Sequence, residues 1–312
     1  MRLIRMKKSL LLRNKGDSNL LLMDKKEFEE VWKWVLYAGD KILSIYQTDF
    51  LVKDKGGNDP VTEADLLAND ILYEQISKNF PDHGFLSEER KDDSERLDKE
   101  WVWILDPIDG TREFVKKNGQ FALSLGLAKN GEPYWGVIFN PATGEFFSKD
   151  EASFSVKLSA PFLSSKNIQL IESELSKPAR EEGNFFASST KPKLFVSLSE
   201  MKEGLFSEDT WKENFEVIPL GSIAYKLGLL SAGVGDLIVS LKPKNEWDIC
   251  GGISLLSSRA FRFFPLKNEE SYSFNNKDTR SYGLVAGTKN AVDYLLDKIP
   301  VESLTSKVRD KW

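Results

Sequence analysis

The stretch Trp101-Val-Trp-Ile-Leu-Asp106-Pro-Ile-Asp109-Gly-Thr111 decides how this chain is read. Its first five residues are an unbroken apolar run with the composition of a buried strand. The run stops at two carboxylates three residues apart, followed at once by Gly110 and Thr111. A strand end fixes Asp106, and a turn through Pro107 brings Asp109 back beside it. Two carboxylates that close repel each other unless a cation lies between them. Ligands that are all oxygen favour a hard ion such as Mg²⁺ over zinc or copper. Gly110 and Thr111 then offer backbone N–H groups and a hydroxyl to an anion beside that ion. A lone pair of acids at this spacing is more often a solvated turn, so the reading depends on what the rest of the chain supplies.

Three further acidic motifs supply it. Asp59-Pro-Val-Thr-Glu-Ala-Asp65 precedes apolar positions at Ala64, Leu67, Ala68, Ile71, Leu72 and Ile76, the spacing of an amphipathic helix. By itself it is equally a helix start, with Thr62 as cap and Asp65 near the positive end. Gly84-Phe-Leu-Ser-Glu88-Glu89 runs an apolar pair into two acids, and Glu246-Trp-Asp248-Ile-Cys-Gly-Gly252 carries an acid into another helix. Each motif is weak alone; the ordered set is strong.

On these residues the chain resembles the inositol monophosphatase superfamily of Mg²⁺-dependent, lithium-sensitive phosphatases, from about Asp24 to about Asn290. Asp106-Pro-Ile-Asp-Gly-Thr-Arg-Glu-Phe-Val-Lys-Lys-Asn-Gly119 is most similar to the 3'(2'),5'-bisphosphate nucleotidase branch. The resemblance implies a layered α/β fold, an α+β sandwich of the inositol monophosphatase/fructose-1,6-bisphosphatase type. It also implies Mg²⁺ as cofactor, with two or three ions per site. One ion would take Glu88, Asp106 and the backbone carbonyl of Ile108, and a second Asp106, Asp109 and Asp248. Asp65 and Thr111 would be the catalytic pair that handles the proton of the attacking water, with Gly110 and Thr111 binding phosphate.

Substrate choice rests on fewer residues. Inositol-specific relatives hold sugar hydroxyls with an acid seven positions before the last metal Asp, where this chain has Leu241. Lys242 and Lys244 instead put positive charge on that segment, and Lys226 lies where a lysine is typical of bisphosphate nucleotidases. These three lysines are expected to bind substrate, favouring 3'-phosphoadenosine 5'-phosphate over inositol 1-phosphate. A relative that keeps the fold but binds RNA or protein is the third reading, and such a chain is expected to lose its acids; here every one is present.

Composition sets the remaining bounds. The 312 residues allow one large domain or two packed ones. Lys and Arg total 43 against 48 Asp and Glu, a net charge of −5 that argues against bulk nucleic-acid binding. A single cysteine, Cys250, excludes an internal disulfide framework and fits a reducing, cytoplasmic compartment. The one histidine, His83, sits in Pro-Asp-His-Gly and reads as part of a surface turn. No apolar run approaches membrane-spanning length. A small phosphate monoester is the partner that the resemblance implies. Monomer and homodimer both stay open, because inositol phosphatases are often dimers and nucleotidases often monomers.

Periodicity organises the chain into three parts. Residues 1–22 read as a disordered extension, with Met23 as an alternative start. Residues 23–155 read as a first sub-domain carrying most of the acids, and 156–312 as a second supplying Asp248. A helix is expected over Lys25–Tyr46, a loop over Lys53–Asn58, and hairpin-linked strands over Phe121–Ala128, Tyr134–Phe139 and Phe146-Phe147. Ser155–Glu182 reads as a polar passage and Phe185–Ala187 as a short strand. Beyond it, helices are expected after Gly221 and Asp248, and strands over Asp236–Ser240 and Gly283–Gly287.

Overall fold

The apolar run ahead of Asp106 is a strand, Trp101–Asp109, and its alternation sets the layers of the molecule. Trp101, Trp103 and Leu105 enter one core while Val102 and Ile104 enter another, as the period-two alternation of a strand requires. The computed structural model describes residues 25–54, 60–150, 152–175, 191–256, 260–267 and 271–311. The expected extension 1–22, the strand at Phe185–Ala187 and most of the loop before Pro60 lie outside the described residues.

The first half contains α1 (Lys25–Tyr46), β1 (Val52–Asp54), β2 (Pro60–Thr62), α2 (Glu63–Asn79), β3 (Gly84–Ser87) and β4 (Trp101–Asp109). It continues through α3 (Thr111–Val115), β5 (Ala122–Lys129), β6 (Glu132–Asn140), β7 (Glu145–Lys149), β8 (Ser153–Lys157) and α4 (Ser165–Leu175). Next come β9 (Lys193–Ser197), α5 (Leu198–Lys202), α6 (Asp209–Asn214), β10 (Glu216–Leu220), α7 (Ile223–Ser231) and β11 (Leu237–Asn245). The chain closes with α8 (Glu246–Leu255), β12 (Phe261–Phe264), β13 (Arg280–Thr288), α9 (Lys289–Lys298) and α10 (Val301–Lys307).

Strands β3 to β8 form a six-stranded sheet in chain order, parallel at β3–β4 and antiparallel after it. Short connections make that meander, as hairpin-linked strands do. The second sheet has the order β10-β9-β11-β13-β12 and is mixed, with β9 parallel to both of its neighbours.

Three apolar clusters bind these sheets into five alternating layers. Helices α1 and α2 cover one face of the first sheet, through Val31, Val35, Leu36, Ala64, Ala68 and Leu72. Helices α7 and α8 lie between the sheets, where Leu227, Ile249 and Ile253 meet Ile104, Ile138, Ile238 and Ala286. The outer face of the second sheet packs on Trp211, Val292, Leu295 and Leu304. Helix α8 approaches the first sheet closely because small residues face it: a Cβ on Gly136 would stand 2.2 Å from the Gly251 carbonyl oxygen. That approach brings the start of α8 up to the end of β4.

Two expectations gain detail. The polar passage after Ser155 carries regular structure, since it completes β8 and contains α4. Helix α4 is held by Ile171 in the core and by the Asn167 amide, which donates to the carbonyls of Ser159 and Phe162. His83 does sit in the expected turn, but it is half-buried there rather than free in solvent. Its ring stacks on Phe80 and Trp101 at 5.1 and 5.8 Å between centroids, and its Nδ1 accepts the Trp103 indole N–H at 3.0 Å.

Candidate active site

An ordinary strand would send residues 106 and 109 to opposite faces. Here the ladder breaks step: Asp106 is opposite Ser124 and Asp109 opposite Ala122, so β4 spends three residues where β5 spends two. Such a bulge re-aims side chains, and the device is a bulge rather than the simple turn read from Pro107. The Ile108 N–H, outside the ladder, donates to Asp106 Oδ1 at 3.0 Å. Gly110 follows at φ +93°, and a Cβ there would meet the Gln120 carbonyl oxygen at 3.0 Å. Only glycine takes that conformation without strain, so the chain can leave the strand and start α3 at Thr111.

Asp248 arrives from the first turn of α8, its Oδ2 accepting the Asn245 N–H at 2.8 Å. Carboxylate oxygens of Asp106, Asp109 and Asp248 lie within 4.8 Å of one another, and among the described residues these three form a group able to hold a metal ion. Asp65 comes from the first turn of α2, where Thr62 donates to its Oδ2 through both N–H and hydroxyl, at 2.8 and 2.5 Å. Its other oxygen, Oδ1, is 3.4 Å from the Thr111 hydroxyl, which stands closer, at 3.0 Å, to the Ile108 carbonyl. Glu88 extends the β3–β4 pairing through its N–H to the Leu105 carbonyl. It is outside the tight triad, but its charge bears on both Asp106 and Asp248.

The electrostatics follow from burial. Desolvation pushes Asp106 well above the usual carboxylate range, and Glu88, Asp109, Asp248 and Asp65 push it further. Asp248 is raised in the same way, first by burial and then by Asp109 and Glu88. Burial also raises Asp109, against hydrogen bonds from Ser222 and Ala224 and the charges of Lys226 and Lys244. Five carboxylates therefore share a site with two ammonium groups. Buried like charges of this kind persist where a hard cation compensates them, and an all-oxygen donor set matches Mg²⁺.

The lysines divide. Lys244 lies within field reach of Asp109 and Asp248. Lys226 is buried, and its ammonium donates to the carbonyls of Leu220 and Gly221 at 3.1 and 2.8 Å. Burial brings it down to about 8, resisted by Asp109 and Glu200. Lys242 is not brought to the acids: its ammonium pairs with Glu203 at 2.5 Å. Leu241 is wholly buried in the outer core, so its side chain is not directed at the acids.

Two groups escaped the sequence reading. The Ser222 hydroxyl and the Ala224 N–H both donate to Asp109 Oδ2, at 2.5 and 2.6 Å. Gly221-Ser-Ile-Ala is visible as a capped helix start, and nothing local tells which acid it meets. Glu246 is the second, pushed up to about 7 by burial and bonded by the Asn275 and Asn276 N–H groups. Asn275 also takes up Arg96, so this network ties the 271–279 segment to the approach of α8.

The alternating stack and its acidic site place the chain among the metal-dependent phosphomonoesterases. The pattern of the Inositol monophosphatase family matches residues 24–292, and the chain belongs to that family. It is 27% identical to a 3'(2'),5'-bisphosphate nucleotidase CysQ of Haemophilus influenzae over 83% of this chain and 91% of that protein. It is 28% identical to a fructose-1,6-bisphosphatase/inositol-1-monophosphatase of Thermotoga maritima, over 77% and 84% of the two chains. The crystal structure of CysQ from Bacteroides thetaiotaomicron superposes with a TM-score of 0.67 at 25% identity, covering 86% of this chain and 99% of that one. Among the described residues no helix is long and apolar enough to cross a membrane.

Proposed function

We propose that the chain is a 3'(2'),5'-bisphosphate nucleotidase that converts 3'-phosphoadenosine 5'-phosphate to AMP and phosphate. The observation that carries this reading is the pair Lys226 and Lys244, buried beside the acids and acting on Asp109. A mononucleotide carrying one phosphate needs no such surplus of cation beyond the metal site; a second phosphate does. The relatives named as nucleotidases support the same choice.

Glu88, Asp106 and the Ile108 carbonyl would hold one Mg²⁺, and Asp106, Asp109 and Asp248 another. When bound, the ions supply an activated water and neutralise the departing oxygen. The chain's own part is orientation and proton handling. Ser222 and Ala224 occupy Asp109 Oδ2, which leaves Oδ1 as the oxygen turned to a ligand. Thr62 likewise occupies Asp65 Oδ2 and reserves Oδ1 for Thr111. A Thr111 hydroxyl that donates to Asp65 keeps its oxygen lone pairs for the proton of the attacking water. The N–H groups of Gly110 and Thr111 would receive phosphate oxygens at the start of α3.

Phosphate release in Mg²⁺ from 3'-phosphoadenosine 5'-phosphate and from inositol 1-phosphate, at equal concentration, tests the reading. Strong preference for the nucleotide is expected. Preference for inositol phosphate would overturn the substrate and leave the metal site standing.

A further inference from the structure

The second sheet also breaks step beside the site, and a buried acid absorbs the break. Between Ser240 and Pro243 the β11–β13 register shifts. The Leu241 and Lys242 N–H groups donate there to Glu200 Oε1, at 3.2 and 3.1 Å, together with the Ser240 hydroxyl at 2.6 Å. Glu200 comes from α5 and is wholly buried, and its other oxygen, Oε2, has no hydrogen-bond partner among the described residues. A buried carboxylate oxygen without a hydrogen bond is costly to keep. The nearby cations account for its retention. Lys244 Nζ is 4.0 Å from Glu200 Oε1 and donates to the Pro243 carbonyl at 2.9 Å. Its charge also acts on Asp109 and Asp248, so Lys244 couples Glu200 electrostatically to the acid triad. Glu203, three residues along the same segment, takes Lys242 away from the site.

Without Glu200, buried ammonium groups beside three carboxylates would be drawn wholly onto those carboxylates. We propose that Glu200 is a positioning residue: it pins the break in β11 and balances Lys244 and Lys226. The charge of both ammonium groups is then shared rather than spent on the triad, and it can act on an anionic group of the substrate other than the phosphate being cleaved. The inference rests on the bisphosphate reading above and adds the residue that makes it selective. Glu200 touches neither substrate nor metal in this account; it acts through the lysines.

The test compares kcat and KM for 3'-phosphoadenosine 5'-phosphate and adenosine 3'-phosphate in wild type, Glu200→Gln and Ser240→Ala. Glutamine keeps an acceptor for the backbone but turns an amide N–H₂ or a neutral oxygen toward Lys244. KM for the bisphosphate is expected to rise roughly tenfold or more, while kcat on both esters and KM for the monophosphate move less than about twofold. Ser240→Ala, which removes one hydrogen bond and leaves the charge, should shift the same KM by about two- to fourfold. It decides the matter if Glu200→Gln does not fold, because an unchanged KM ratio in Ser240→Ala then overturns the inference. A wild-type enzyme with equal KM for the two esters sinks the bisphosphate reading and this inference with it. A wild-type preference that Glu200→Gln retains, or equal losses on both esters, sinks the inference alone.

Discussion

Strand β4 has two ends of opposite character. At its start Trp101 and Trp103 lie among Phe80, His83, Tyr134 and Trp135, with ring centroids 4.9–6.3 Å apart. Aromatic pairs of this kind contribute about 0.5–1.5 kcal/mol each beyond the area they bury. At its finish, burial and neighbouring charge all oppose the ionised form of Asp106. One end is packed for stability and the other is held against it. A strand fixed at the aromatic end can keep three carboxylates closer than a free loop would tolerate, which is how a rigid element serves a reactive site. Substitutions at the two ends should therefore differ in kind.

The largest effect is expected at the charged end. If Asp109 holds the metal as proposed, Asp109→Asn should cut turnover roughly a thousandfold, about 4 kcal/mol of barrier, because one carboxylate charge is lost from the acidic cluster. The same change should raise the melting temperature of the metal-free protein, since burial works against an ionised Asp109 and an amide relieves that cost. For a chain of this size each kcal/mol is read as about 1.5 °C. Melting in chelator, paired with phosphate release in Mg²⁺, checks both halves. Retained turnover would remove Asp109 from the site, and a lower melting temperature would mean that its end of β4 is not held against repulsion at all.

Ser222 joins the two halves of the molecule and should give an intermediate effect. Its backbone sits at φ +36°, a conformation costly for a residue with a side chain. It is held there by two hydrogen bonds, one given to Asp109 and one accepted from the Tyr225 N–H at 2.9 Å. Ser222→Ala should lower activity about 10- to 100-fold by freeing the Asp109 oxygen. It should also cost about 1 kcal/mol of stability as the cap of α7 is lost. Ser222→Gly should lose the same activity yet recover part of the stability, because glycine accepts a positive φ. If glycine and alanine are equally stable, the backbone at this joint is unstrained.

How much of this was legible depended on distance along the chain. Asp106, Asp109, Gly110 and Thr111 are neighbours, and their spacing after an apolar run encodes both the strand and its acidic end. Asp65 and Asp248 announced themselves as helix starts. The Ser222–Asp109 bond spans 113 residues, and the Ser240–Glu200 bond spans 40. Neither has a local signature, because packing of whole layers brings the partners together. Lys242 and Lys244 looked equivalent as alternate residues of one segment, until the break in β11 and the acids of α5 sent them to different partners. Leu241 carries no acid, as the count back from Asp248 shows, but only the fold tells which core its side chain enters.

The aromatic end offers the smallest effect and the sharpest contrast. Pro81, Asp82 and Gly84 mark His83 as a turn residue, and it is one; what they do not show is that its ring is stacked and its Nδ1 accepts from Trp103. Burial holds its pKa below the ordinary histidine value, with Asp82 and Glu100 opposing. An unfolded histidine titrates near 6.5, so the stability His83 contributes is present above about that pH and is lost as pH falls through its lower folded value. Protonation also removes the lone pair that Trp103 uses. Melting temperature should therefore decline below neutrality more steeply in wild type than in His83→Gln, whose side chain can accept from the indole without titrating. Since this is the only histidine in the chain, its imidazole resonance reports the same titration without assignment. A midpoint at or above the ordinary value would show that β4 begins in a wetter, looser setting than its stacked rings imply, and the contrast between its ends would shrink accordingly.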